Sequence, residues 1–108
     1  METLTYGAVL ARFGFAMSDA TRSRILLALS EAPSYPSDLA ALLGVSRQAL
    51  SNHLSCLRGC GLVVTVQEGR RVRYELADPQ LAAAIAALLQ VSITPDPDAC
   101  DDPAAGCC

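Results

Sequence analysis

Apolar residues recur at three- and four-residue spacing through most of the chain, and alternate in one short stretch. Tyr6, Val9, Leu10, Phe13 and Met17 predict an amphipathic first helix over about residues 3–16. Ser18 or Asp19 offers an N-cap for a second helix, whose apolar face is Ile25, Leu26 and Leu29 and which ends near Ser30. Pro33, Ser34 and Pro36 punctuate a loop. Pro36 suits the first turn of a short third helix through Leu39, Leu42 and Leu43, closed by a tight turn at Gly44-Val45. Ser46 caps a fourth helix that runs to about Gly59 and exits at Gly61. Leu62–Val66 and Val72–Leu76 are β-branched or alternating runs around Gln67-Glu-Gly-Arg-Arg71, which is the pattern of a hairpin. In its second strand Val72, Tyr74 and Leu76 share one face and Arg73 and Glu75 the other. Asp78-Pro79 opens a fifth helix, where Leu81, Ile85, Leu88 and Leu89 form a stripe among alanines small enough to admit a partner helix.

Helix, short helix, turn, helix and hairpin is the order of a winged helix-turn-helix: a mainly α fold with a β-hairpin wing, whose fourth helix enters the major groove of DNA. Residues 1–91 make one such domain. The first and last helices carry more apolar surface than a small core hides, so a homodimer paired through them is expected. From Ser92 the composition shifts to Pro, Asp, Ala, Gly and Cys without periodicity, which predicts a flexible tail over 92–108.

Charge sharpens the assignment of the reading surface. The formal net charge of -3 is an average over two unlike regions. Asp96, Asp98, Asp101 and Asp102 all lie in the tail, whereas Arg47, Arg58, Arg70, Arg71 and Arg73 face only Glu68 between residues 46 and 73. On the fourth helix, taking Leu50 as zero, Leu54 and Leu57 fall at about 40° and 340° and mark the core side. Arg47, Gln48, Ser51, Asn52, Ser55 and Arg58 occupy a polar sector between about 60° and 200°, able to donate to phosphates and base edges. Arg70, Arg71 and Arg73 of the wing add expected phosphate or minor-groove contacts.

Cys56 and Cys60 fall near 240° and 280° on the same helix, outside both sectors, and residues four apart stack on one face. Two thiolates there can converge on one soft ion. The alternative for each is a small buried hydrophobe. His53, near 300°, is expected to be satisfied by a backbone group rather than to bind metal. The remaining thiols are Cys100, Cys107 and Cys108. Five cysteines, unevenly placed, do not make a disulfide framework and suit reduced thiols held for metal or redox chemistry. No run of 18 apolar residues and no signal-peptide pattern occurs, so a cytoplasmic protein with no membrane partner is expected. One His, no Gly-rich phosphate loop and no cysteine-base pair argue against an enzyme.

Asp19-Ala-Thr-Arg22, Leu39-Ala-x-x-Leu-Gly44, Ser51-Asn-His-Leu54, Leu57-Arg-x-x-Gly-Leu-Val63 and Glu68-Gly-Arg70 followed by Tyr74 resemble the ArsR/SmtB repressors, over about residues 5–91. The run from Ser51 to Val63 is most similar to a branch of that family that senses cadmium and lead. The resemblance implies a dimeric repressor that holds double-stranded operator DNA when metal-free and leaves it when metal binds. It further implies that Cys56 and Cys60 are the sensing thiols and that a tail cysteine joins them. Cys100 is the nearest match, with Cys107 and Cys108 as alternatives. Cadmium or lead is the implied inducer, and arsenite or mercury suits the same thiols. A thiol redox sensor is a further alternative.

Overall fold

The computed structural model describes residues 5–99. Its elements are α1 (Tyr6–Met17), α2 (Ala20–Glu31), α3 (Pro36–Leu43), α4 (Arg47–Gly59), β1 (Val63–Glu68), β2 (Arg71–Leu76) and α5 (Pro79–Leu88). Each helix begins where its local chemistry supplies a cap. Thr5, Asp19, Ser46 and Asp78 each accept a backbone N–H of the first turn through their side chains. Tyr35 makes no such bond, and α3 begins instead with Pro36, whose missing N–H needs no partner. Gly44 ends α3 with a φ of 68°, a left-handed conformation that other side chains resist. Arg24 donates to the Leu43 carbonyl at 3.1 Å, so α2 satisfies the end of α3.

The core is built from the stripes read above, except that Leu42 of α3 is 69% exposed. Ile25, Leu26 and Leu29 of α2, Leu39 and Leu43 of α3, and Leu50, Leu54 and Leu57 of α4 close on one another with Val63, Leu81 and Ile85. Truncating any one of these leucines to alanine costs about 2–5 kcal/mol. The α1 and α5 stripes divide. Ala16, Leu81 and Ile85 are buried, while Tyr6, Leu10, Leu88 and Leu89 remain exposed, and Leu10 and Leu88 line an apolar groove between the two helices. Ala16 lies outside the stripe read from the sequence, and within a single chain only the inner edge of the α1 and α5 stripes finds neighbours.

The hairpin is tighter than its five-residue loop predicted. The strands pair antiparallel from Val63↔Leu76 to Glu68↔Arg71, leaving Gly69-Arg70 as a two-residue turn. Gly69 has a φ of 61°, the requirement of a type II′ turn at its first central position, and among the described residues none but glycine has positive φ. Ser34 and Tyr74 exchange backbone bonds of 2.9 and 2.8 Å, so the loop before α3 adds a bridge to the outer edge of β2. In β2 the alternation is blurred, because Arg73 and Glu75 are half-buried like Val72, Tyr74 and Leu76.

Beyond α5, residues 92–96 have no regular structure and a turn at 97–99 is held by Asp96, which accepts from the Asp98 and Ala99 amides. Cys100, Cys107 and Cys108 lie outside the described residues.

Two polar groups fix the α1–α2 corner. Arg22 donates to the Ala16 and Phe15 carbonyls at 3.0 and 2.9 Å and to Ser18 Oγ at 3.2 Å, with its guanidinium 5.0 Å from the Phe15 ring centroid. Asp19 Oδ2 accepts the Arg22 N–H at 3.0 Å. That bond, with smaller help from His53, holds the Asp19 carboxyl below its ordinary value of 3.8. A depressed carboxylate stabilises the fold above its unfolded pKa, and this contribution is lost as pH falls through the folded value. Asp19→Asn keeps a cap acceptor and removes the titration. The urea midpoint of the wild type is therefore expected to fall more steeply than that of Asp19→Asn as pH drops below about 4.

Candidate functional site

The polar sector of α4 faces outward as predicted. Arg47, Gln48, Ser51, Asn52 and Ser55 are all exposed, and Leu50, Leu54 and Leu57 behind them are at most 1% exposed. Gln48 Nε2 donates to Asn52 Oδ1 at 3.1 Å, one helical turn apart. This leaves the Asn52 amide nitrogen as a free donor. Donors and acceptors of this kind, on a helix anchored by its opposite face, suit the edges of bases.

The three wing arginines stand in different circumstances. Arg70 sits exposed at the turn and shares a polar concavity with Arg47 and the start of α3. Arg71 lies over the Tyr35 ring at 3.5 Å from its centroid and 3.8 Å from Asp38 Oδ2. Arg73 is engaged at 2.6 Å by Glu68 and at 3.7 Å by Glu75, and its Nε is buried without a partner. Composition alone treated them as equal charges. Their surroundings leave Arg70 the least compensated, Arg71 partly so, and Arg73 neutralised within the hairpin.

The thiol pair occupies a third side of the same helix. Cys60 is the C-cap of α4, and its N–H meets the Cys56 carbonyl at 3.0 Å, which stacks one cysteine above the other. Both are free and half-buried, and Cys60 leans on the core, closer to it than its angle around an ideal helix implied. Burial first, and then the Cys56 sulfur beside it, push the Cys60 thiol above its ordinary value of 9.0, against the pull of Arg12 and Arg22. The donor set suits a soft ion and no hard one. It is incomplete as it stands, since no cluster of three His, Cys, Asp or Glu side chains occurs among the described residues. His53 is turned toward α2, with Nδ1 3.8 Å from Asp19 Oδ2, so its neighbour is a carboxylate instead of the expected backbone group.

The match to a family model, bacterial regulatory proteins of the arsR family, covers residues 19–65, from the α2 cap into β1. CmtR of Mycobacterium tuberculosis, an HTH-type transcriptional regulator, is 57% identical over 91 residues, spanning 84% of this chain and 77% of that protein. The chain belongs to the ArsR family of transcriptional regulators. The solved structure of the M. tuberculosis protein, a cadmium metal-sensor, superposes with a TM-score of 0.66 at 58% identity over 80% of this chain and 90% of that one. A homodimeric winged helix-turn-helix DNA-binding domain of Mycobacterium bovis superposes with a TM-score of 0.72 at 26% identity, over 82% of this chain and 87% of that domain. A probable mercury resistance operon repressor of Streptomyces lividans is 33% identical over 78 residues, 72% of this chain and 62% of that protein.

Membership makes this a DNA-binding winged helix-turn-helix regulator and not an enzyme. Among the described residues no helix is long and apolar enough to cross a membrane. Within this ArsR-family chain, sequence reading had passed over the residues that orient the wing: Ser34, Tyr35, Asp38 and Glu75. For Ser34, Tyr35 and Asp38 the signal is weak, because each acts through a partner distant in sequence, whereas Glu75 meets Arg73 two positions away. Tyr35 donates to Glu68 Oε2 across 33 positions, and no local spacing announces such a bond.

The unequal surroundings of Arg70 and Arg73 have a measurable outcome. Arg70→Ala is expected to weaken DNA binding and to lower the salt slope of log K by about 1. Arg73→Ala leaves that slope unchanged and lowers the thermal midpoint instead. Anisotropy of labelled duplex across a salt series, beside thermal denaturation, separates the two.

Proposed function

We propose that this protein is a metal-sensing repressor: a cytoplasmic homodimer, paired through α1 and α5, that holds operator DNA when metal-free and releases it when Cys56 and Cys60 take up a soft thiophilic ion. The observation that carries this reading is the stacked thiol pair on the reading helix itself. Arg47, Gln48, Ser51, Asn52 and Ser55 read the major groove, and Arg70 and Arg71 of the wing grip the backbone, while Arg73 is held within the hairpin by Glu68 and Glu75. Residues 1–91 form the DNA-binding and dimerisation domain, and 92–108 supply the remaining thiolate. Cys100 is the first choice and Cys107 or Cys108 the substitute.

Cadmium or lead suits three thiolates, and the 57% identity to a cadmium sensor supports that choice. Mercury or arsenite at the same site is the second reading, supported by the likeness to the S. lividans mercury repressor. In either case the half-buried, protonated Cys60 must give up its proton to a thiolate-seeking ion, and the pair then carries negative charge beside Arg12 and Arg22. The exposed apolar edge of Leu10, Leu88, Leu89 and Val91 is covered by the second subunit. Nine residues separate Val91 from Cys100, a span of up to about 30 Å, so the tail has the reach to meet α4 of either subunit.

Release of DNA measures the coupling between the two sites, typically about 1–3 kcal/mol, or roughly 5- to 150-fold in affinity. Cys56→Ser and Cys60→Ser are expected to bind DNA as the wild type does and to stay bound when cadmium is added, as followed by anisotropy of a labelled duplex. A variant that dissociates normally with cadmium contradicts the assignment. Peroxide in chelator-treated wild type should leave the complex intact; dissociation favours the redox alternative.

A further inference from the structure

The wing is tied to the start of α3 by a set of contacts that the thiol site and the reading helix do not use. Tyr35 stands at its centre. Its hydroxyl donates to Glu68 Oε2 at 2.9 Å, and its ring carries the Arg71 guanidinium at 3.5 Å. Immediately before it, Ser34 is hydrogen-bonded to Tyr74 of β2 through both backbone groups. Immediately after it, Pro36 opens α3, whose first-turn Asp38 lies 3.8 Å from Arg71. One residue therefore touches both strands of the hairpin and leads directly into the helix-turn-helix.

We propose that Tyr35 is a positioning residue for DNA engagement, presenting Arg71 to a backbone phosphate. The inference rests on this chain binding DNA through its winged helix-turn-helix, and on four further observations. First, Arg71 is exposed although it is stacked, so its outer N–H groups are free for an incoming oxygen. Second, it lines the same concavity as Arg47 of α4 and Arg70 of the turn, together with Ser37 of α3. Three guanidinium groups from two elements around one concave surface suit a phosphate diester. Third, stacking on an aromatic face restrains a side chain that otherwise loses rotamer freedom on binding, so Arg71 meets DNA already ordered. Fourth, Glu68, the carboxylate nearest the wing turn, is held twice, by Tyr35 and by Arg73. Its charge is compensated internally, which limits its repulsion of the backbone. Asp38, two-thirds exposed and only 3.8 Å from Arg71, is the weaker anion that a phosphate displaces.

The proposal makes the effects of Tyr35 and Arg71 one effect. Tyr35→Leu keeps the bulk beneath Arg71 but removes both the π face and the hydroxyl; Tyr35→Phe keeps the face. The probe is a labelled duplex selected from a random-sequence pool by the wild-type full-length protein in metal-free buffer, with anisotropy read across a salt series. Arg71→Ala should weaken binding about 3- to 10-fold and lower the salt slope by about 1. Tyr35→Leu should weaken binding about 3- to 5-fold, approaching Arg71→Ala in slope, and Tyr35→Phe should retain the wild-type slope. The double variant Tyr35→Leu/Arg71→Ala should bind no more weakly than Arg71→Ala alone. Losses that multiply in the double variant overturn the proposal, as does a Tyr35→Leu that binds weakly at every salt concentration with an unchanged slope, the mark of a purely structural role. Selection of no sequence by the wild type contradicts the DNA-binding reading itself, a different outcome from either. Circular dichroism and thermal midpoints confirm that each variant is folded before its binding is compared.

Discussion

The rotation of α4 about its own axis is set by three leucines, and the function of the rest of the molecule depends on that setting. Leu50, Leu54 and Leu57 are at most 1% exposed and pack against the α2 and α3 stripes. A turn of α4 by one residue moves every side chain by about 100°, exposing this stripe and burying polar groups at a cost of several kcal/mol. The apolar contact thus fixes which residues of α4 look toward solvent and which look toward α1 and α2. No residue on the polar sector has to stabilise the fold, so that sector is free to be chosen for recognition. The thiol pair, on the remaining side, is half in contact with the core and half open.

That arrangement places two readouts on one rigid rod. A force applied at Cys56 and Cys60 acts on the last turn of α4, and the same rod carries Arg47 to Ser55 at its other end. Arg12 of α1 and Arg22 of α2 act on the Cys60 thiol, and α1 also borders the apolar groove shared with α5. In the proposed dimer the thiol pair lies between the reading surface and the surface a second subunit would cover. In that reading, restraint of α4 by metal would change how two reading helices are spaced, the quantity a two-fold symmetric binding site measures.

Much of this was legible in the chain. Caps at Asp19, Ser46 and Asp78, the proline at the start of α3 and the leucine stripe of α4 depend on residues within one or two helical turns, and local spacing displays them directly. The angular sectors of α4 followed from the same periodicity. What sequence did not display was long-range pairing. Tyr35 counted as loop until its ring was found beneath Arg71, and Ser34 found its partner in Tyr74; Arg73, by contrast, is met by Glu68 and Glu75 within its own hairpin, whose turn is two residues instead of five. His53 found its neighbour in Asp19, more than thirty residues away. The outer edge of α1 and α5 was legible as apolar, but a single chain has no element to cover it.

The central claim is that one helix both reads DNA and gathers the metal-binding thiolates. Thiolate-to-metal charge-transfer absorption during a cadmium titration tests it most directly, because the amplitude counts thiolates bound. The account predicts a band of three-thiolate intensity in the wild type that shrinks when either Cys56 or Cys60 is changed to Ser and again when the tail cysteine is changed. A full-intensity band in Cys56→Ser/Cys60→Ser places the metal elsewhere and contradicts it.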